Sequence, residues 1–225
     1  TPQKKNNTEA LFRLIKEQDV NQRDSFGATA LHVASHEGNQ AAVEILLDSR
    51  SIAVGMGDLW DRTALHHACK KGHVEIVAKL IHAGAGIDSC DQRKQTPLMK
   101  AALNGNVECA RLLILNGADV GLVQPLTEVG RSNKDQNNVL HCAASGGHTL
   151  VCKAVLHHLR KRNRKVLQKL LLGENSRKRE TAAAIADRKG CTELARMLRF
   201  ALFHVVLAPR LVVAVNQWSK EAVCA

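Results

Sequence analysis

Aromatic residues are scarce in this 225-residue sequence, at 3 % of the chain with no Tyr, although apolar residues make up 45 % of it. A core of this composition must be built mainly from Leu, Val, Ile and Ala, which favours packed helices in a folded chain.

The sequence also lacks the motifs that mark common enzymes. It contains no G-x-S-x-G, Walker-type, H-E-x-x-H or kinase sequence, and its carboxylates form no obvious pair. We therefore expect no enzymatic activity and no cofactor.

Cysteine is present, but no C-x-x-C pair occurs among the seven residues. Their odd number and scattered positions argue against a disulfide framework and favour a reduced, intracellular chain. The polar segment Thr1–Asn7 does not predict a secretory signal. We expect a cytoplasmic location, with the nucleus as the alternative.

No uninterrupted apolar run is long enough to predict a membrane span. The most apolar stretch, Leu198–Val215, is broken by Arg199, His204 and Pro209-Arg210. We expect residues 200–225 to cover the end of the domain, with a membrane or partner contact as the alternative.

A repeated six-residue pattern is the strongest feature that the sequence does contain. Its copies are TALHVA at 29–34, TALHHA at 63–68, TPLMKA at 96–101, NVLHCA at 138–143 and TAAAIA at 181–186. The spacings of 34, 33, 42 and 43 residues indicate insertions of roughly ten residues in the later units.

The residues around each copy predict two helices joined by a tight turn. Thr63 can cap the first helix, and the glycine that follows the pattern, such as Gly72, can end it in a left-handed conformation. Pro97 suits a first helical turn. The segment from Val74 to Ile81 then has the apolar periodicity of a buried second helix.

This order of residues resembles the ankyrin repeat, strongly over 8–121 and more weakly over 133–199. The resemblance implies an all-α solenoid of helix-turn-helix units with short hairpin loops, about five repeats after an N-terminal half-repeat. The predicted divisions are 1–23 for the half-repeat, 24–57, 58–90, 91–132, 133–175 and 176–199 for the repeats, and 200–225 for the tail. Asp61 and Lys94 depart from the family pattern by replacing its turn glycine.

Several of the eleven histidines fall on family positions, which argues against a metal site. By the resemblance, His32, His66 and His141 bond the backbone of a neighbouring loop. The best remaining zinc candidate, His141, Cys142, His148 and Cys152, lacks structural-zinc spacing. We predict no metal site.

The resemblance also implies a protein-binding surface, the concave face, which is formed by the hairpin tips and the exposed side of the first helices. Its predicted partner-binding residues are Phe26, His36, Glu37, Leu59, Trp60, Arg62, Lys70, Lys71, Arg93, Gln95, Leu103 and Asn104. We expect Trp60 to be an isolated, exposed anchor at its centre. The alternative is that Phe26 or Trp60 only packs on the next hairpin.

Positive charge is concentrated in the last third of the chain. Residues 152–225 carry 16 Lys/Arg against 5 Asp/Glu, which accounts for the whole net charge of +11. The predicted basic patch comprises Arg160, Lys161, Arg162, Arg164, Lys165, Arg177, Lys178, Arg179, Arg188 and Lys189.

The clusters at 160–165 and 177–179 have the spacing of a bipartite nuclear import signal. A solvated face on one extended second helix, or contact with an acidic partner or nucleic acid, is the alternative. Interleaved aromatic residues are missing, which argues against single-strand nucleic-acid binding.

These observations predict a non-enzymatic scaffold or adaptor that binds a protein or peptide. An acidic partner is one option. The alternative is a nuclear or membrane-associated regulatory protein, similar to a host-targeting effector, that engages anionic partners or an import receptor through its basic third.

Overall fold

The computed structural model describes residues 19–122, 137–174 and 179–207. These ranges contain eleven α-helices, a closing π-helical turn at Phe203–Leu207 and no strand. The helices are α1 (Ala30–Glu37), α2 (Gln40–Leu47), α3 (Ala64–Lys71), α4 (Val74–His82), α5 (Pro97–Leu103), α6 (Val107–Leu115), α7 (Val139–Gly146), α8 (Thr149–Arg162), α9 (Arg164–Leu172), α10 (Ala182–Arg188) and α11 (Thr192–Leu202).

The helices form two layers. The first helices of successive units, α1, α3, α5, α7 and α10, contact one another in that order, and the second helices α2, α4, α6 and α8 do the same. Each unit therefore packs mainly on its neighbours, as in a solenoid. The predicted all-helical solenoid is confirmed.

The predicted helix boundaries follow from local chemistry. Thr63 and His66 form a capping box at the start of α3, and Thr96 accepts a hydrogen bond from the Met99 amide at 3.3 Å. Gly72 ends α3 with a φ of 85°, a left-handed value that glycine adopts without strain.

Buried histidines join three of the hairpins to the unit before them. The Nδ1 of His66 accepts the Thr63 amide proton at 3.1 Å, and its Nε2–H donates to the carbonyl of Gln95 at 3.0 Å. His32 and His141 make the same pair of contacts in their units. The sequence interpretation of these histidines is confirmed.

The insertion that lengthens the fourth unit forms a separate helix. Asn163, with φ −150° and ψ 85°, ends α8, and its side chain accepts from the Val166 amide at 3.1 Å to start α9. Helix α9 packs against both α8 and α11. One extended second helix through the basic cluster, considered from sequence, is therefore wrong, because Asn163 leaves the helical conformation and caps a new helix.

The described residues cover only part of the predicted division of the chain into repeats and tail. Most of the N-terminal half-repeat, the insertion at 123–136 and the tail beyond 207 lie outside the described residues. The same holds for Arg177 and Lys178 and for the side chains of Lys161 and Arg162.

Candidate protein-binding surface

An aspartate holds each of the first two hairpin tips in a fixed turn. The carboxylate of Asp58 accepts hydrogen bonds from the amides of Trp60 at 2.9 Å and Arg62 at 3.0 Å, and Asp24 accepts from the Phe26 amide at 2.8 Å. The residue two positions after each aspartate is thereby placed at the tip. Phe26 is 60 % exposed there and Trp60 45 % exposed.

Backbone hydrogen bonds link successive tips into one continuous edge. The Leu59 amide donates to the Phe26 carbonyl at 3.0 Å, and the Gln92 amide donates to the Trp60 carbonyl at 2.9 Å. The side-chain amide of Gln92 also donates to the Leu59 carbonyl at 2.7 Å. Side chains at the tips are therefore held at a regular spacing.

Two turns keep a side chain where the family pattern has glycine. Asp61 and Lys94 both have a φ of 56°, a left-handed conformation that costs side-chain-bearing residues free energy. The surrounding hydrogen bonds impose this conformation, so the departures noted in the sequence leave the turn shape unchanged.

Trp60 lies at the centre of a stacked group rather than alone. Its ring is 6.5 Å from that of Phe26, centroid to centroid, with an angle of 19° between the planes. The guanidinium carbon of Arg62 lies 4.4 Å from the Trp60 ring centroid, a cation–π contact. The expectation of an isolated Trp is wrong, because neighbouring tips are close enough for their side chains to stack.

A buried carboxylate fixes Arg62 under this group. Asp58 pairs with Arg62 at 2.7 Å and accepts a hydrogen bond from His67 Nε2 at 3.0 Å. Burial raises the pKa of Asp58, but the hydrogen bonds from Arg62, Trp60 and His67 outweigh it and bring the pKa to about 2. Burial lowers the pKa of His67 to about 4, so at neutral pH it is an uncharged donor.

A groove with a volume of about 540 Å³ opens between the second and third units, beside Trp60. Seven of the predicted partner-binding residues line it, namely Trp60, Arg62, Lys70, Arg93, Gln95, Leu103 and Asn104. The structure thus brings most of the central predicted residues to one place.

Lys100 is a groove residue that sequence reasoning missed. Its ammonium lies 2.6 Å from the buried carboxylate of Asp91 and donates to Gln95 Oε1 at 2.5 Å. Lys100 occupies the same position in its unit as His67, four residues after the capping threonine. A donor repeated at that position is the signal that could have identified it.

The groove has an excess of positive charge. Arg62 and Lys100 are each paired with a carboxylate, whereas Lys70 and Arg93 form no ion pair within the described part of the chain. Partial burial lowers the pKa of Lys70, and the cations Arg62, Lys100 and Lys71 lower it further. An anionic group bound here would relieve that repulsion.

The predicted surface continues along the first helices toward the first unit. The ring of His36 lies 5.8 Å from that of His67, and His36 Nδ1 bonds to Glu37 at 2.9 Å. Lys71 is exposed beside them at the end of α3. These three residues flank the groove rather than line it.

The predicted basic patch is divided between two parts of the fold. Arg160, Arg164 and Lys165 are exposed around the junction of α8 and α9, where the Arg164 guanidinium donates to the Val205 carbonyl at 3.2 Å. The remaining described members belong to the fifth unit.

In that unit Arg188 is held by Glu180 through two hydrogen bonds, at 2.9 and 3.1 Å. Arg179 and Lys189 are exposed beside this pair. Arg188 is therefore largely neutralised, which leaves the α8–α9 junction as the more basic of the two parts.

The zinc candidate from sequence is engaged in other contacts. His148 Nε2–H donates to the Leu103 carbonyl at 3.1 Å, and His141 bonds the Glu180 carbonyl at 3.1 Å. Burial raises the pKa of both Cys142 and Cys152 to about 12, which opposes the thiolate form that binds zinc. Across the described ranges no three His, Cys, Asp or Glu side chains gather into a metal site.

None of the described helices combines the length and apolar character needed to cross a membrane.

The chain is similar to one known protein family and to several known proteins. Residues 3–91 and 78–165 match the family described as ankyrin repeats, three copies. The chain is 31 % identical over 140 residues to probable E3 ubiquitin-protein ligase XBOS31 of Oryza sativa subsp. japonica, covering 62 % of this chain and 28 % of that protein.

Two mammalian relatives match shorter segments. B-cell lymphoma 3 protein homolog of Mus musculus is 35 % identical over 101 residues, 43 % of this chain and 22 % of that protein. Inversin of Mus musculus is 34 % identical over 106 residues, 46 % of this chain and 10 % of that protein. The matched segments thus span between 10 % and 28 % of these three relatives.

Proposed function

The chain belongs to the ankyrin repeat family, whose repeats bind other proteins, and we propose that it is a non-enzymatic scaffold or adaptor that docks a protein or peptide on the concave face. The observation that carries this proposal is the groove beside Trp60, where an exposed aromatic stack adjoins unpaired cations. Trp and Arg are the residue types that most often dominate binding interfaces.

The groove is ordered before any partner arrives. The Asp58 carboxylate fixes the turn that carries Trp60, and the same carboxylate positions Arg62 on the Trp60 ring. Side chains that are already ordered lose little conformational entropy on binding, which favours affinity.

The charge of the groove supports an acidic partner segment. Lys70 and Arg93 provide two uncompensated positive charges, while Trp60 and Leu103 provide apolar contact area. A segment with an apolar side chain next to acidic ones satisfies both requirements.

Charge reversal at the groove tests this proposal. We expect the double variant Lys70→Glu, Arg93→Glu to lose partners that the wild-type chain captures in proximity labelling, with an unchanged melting temperature. The control variant Arg50→Glu, Arg196→Glu reverses two exposed charges that line neither the concave groove nor any other described groove, and it should keep those partners. The same partner set on the groove variant would contradict the proposal.

A second candidate is a nuclear or membrane-associated regulatory role for the basic third. It is supported by Arg160, Arg164 and Lys165, which are exposed together around the α8–α9 junction and can be reached by an import receptor or an anionic surface. In this proposal the chain is cytoplasmic and enters the nucleus through that cluster.

A further inference from the structure

The outer face of the solenoid, formed by the second helices, carries an apolar groove that the concave site does not use. It runs between α6 and α8 with a volume of about 510 Å³. Leu115 and Leu150 line it and are 71 % and 63 % exposed. An apolar side chain this exposed contributes little to the core on which the units pack.

Comparison of the units with one another shows that Leu150 is unusual. It stands two residues after the N-cap of its second helix, and that position is occupied by Glu75, Glu108 and Glu193 in the second, third and fifth units. Three other units therefore fold with a glutamate at this position. The leucine of the fourth unit is therefore not required for folding.

Leu115 differs from three of its four counterparts in a similar way. It stands nine residues after its N-cap, where the first, second and fourth units have Asp48, His82 and His157, while the fifth unit has Phe200, which is also exposed. Counted from the N-cap of its own helix, Leu115 lies seven positions further along than Leu150. Because the two helices pack side by side, this is an offset of about 10 Å along the helix axis, or two helical turns. Two apolar contacts at that spacing match one face of a helix.

The helix that carries Leu150 is basic along the same side. Lys153, His157 and Arg160 follow Leu150 at helical spacing and are exposed, and α8 contains no Asp or Glu. On the α6 side of the groove, Arg111 is balanced by Glu108 at 3.7 Å. The net charge beside the apolar floor is therefore positive.

We propose that this outer groove docks an acidic amphipathic helix from a partner protein. Its apolar side chains, two turns apart, lie on Leu115 and Leu150, and its acidic flank lies beside Lys153 and Arg160. Such a helix buries its apolar face in a groove while its charged side chains give the orientation. The site is independent of the concave site, so both can be occupied at once.

The variant Leu150→Glu tests the site without endangering the fold, because three other units carry Glu at the same position. The probe is a fluorescein-labelled synthetic helix of about five turns, with Leu residues two turns apart and Glu on both flanks. Its counterpart has Lys in place of Glu. Fluorescence anisotropy of the full chain measures both dissociation constants.

We expect the wild-type chain to bind the Glu peptide more tightly than the Lys peptide. Leu150→Glu should weaken binding of the Glu peptide at least about tenfold, since it removes a central apolar contact and adds a repelling charge. Because the concave site also favours acidic segments, the same comparison is made in the Lys70→Glu, Arg93→Glu background, where Leu150→Glu should again weaken binding of the Glu peptide. Circular dichroism melting confirms that each variant is folded.

Three results would overturn the inference. One is equal binding of the Glu peptide with and without Leu150→Glu in the Lys70→Glu, Arg93→Glu background, and another is loss of that binding in the Lys70→Glu, Arg93→Glu variant itself. The third is that another part of this chain, or a second copy of it, occupies the groove. The first case would be seen as displacement of the probe by a synthetic peptide of residues 123–136. The second would be seen in sedimentation velocity as self-association that Leu150→Glu abolishes.

Discussion

At the residue scale, Trp60 combines packing with exposure. It contacts Phe26 and Arg62, yet 45 % of it remains exposed. Truncation of a fully buried Trp costs roughly 3 to 5 kcal/mol of folding stability, whereas truncation of a binding anchor costs about 2 kcal/mol or more of affinity.

For Trp60→Ala we expect the larger loss in partner affinity, with about 1 kcal/mol lost from folding because its stacking on Phe26 disappears. Melting temperature and partner affinity are measured on the same preparation. Phe200→Ala is the control, since Phe200 is 60 % exposed on α11 and lies in a different unit. Normal partner binding by Trp60→Ala would exclude Trp60 as the anchor.

At the scale of elements, the break between α8 and α9 presents the basic cluster at a helix junction. Exposed charges at such a junction can be replaced without loss of packing. Arg164 makes one hydrogen bond there, to the Val205 carbonyl. The cluster can therefore be tested separately from the fold.

We expect replacement of Arg160, Lys161, Arg162, Arg164 and Lys165 by Gln to abolish nuclear accumulation of a fluorescent fusion while the circular dichroism spectrum is retained. Import receptors recognise positive charge, and Gln keeps a polar side chain that is compatible with a helix but carries no charge. Lys189→Gln is the control. An unchanged distribution of the five-residue variant would leave the cluster as a solvated helix junction.

At the scale of the whole molecule, buried histidines make the solenoid sensitive to acid. Burial lowers the pKa of His66 and of His67 to about 4 in the folded chain. Histidine in the unfolded chain titrates near pH 6.5, so between about pH 6.5 and 4 the unfolded chain binds more protons. Acidification over that range therefore favours unfolding.

We expect the free energy of unfolding to fall between pH 7 and pH 4 by on the order of 3 kcal/mol for each of these two histidines. Protonation of Asp58, whose pKa is about 2, lowers the free energy of unfolding further as the pH falls below about 4. Urea titrations at a series of pH values measure the effect. His67→Gln should flatten the profile, and replacement of the exposed His157 by Gln should not. A stability that is constant from pH 7 to pH 5 would contradict the expectation.

The sequence by itself determined the repeat, its register and the ends of most helices. Thr63, Gly72 and His66 act through contacts within one unit or with the next hairpin, and the same contacts recur in other units. Because the spacing of these residues repeats, one copy confirms the interpretation of another. The hairpin positions of Phe26 and Trp60 followed from the same register.

Only the tertiary structure decided which side chains from different units meet. The stacking of Trp60 with Phe26 and the adjacency of Leu115 to Leu150 involve residues that local patterns do not relate. The break at Asn163 likewise depends on the packing of α9 against α8 and α11. Such contacts depend on how units pack side by side, and packing is determined by the shapes of all neighbouring side chains together.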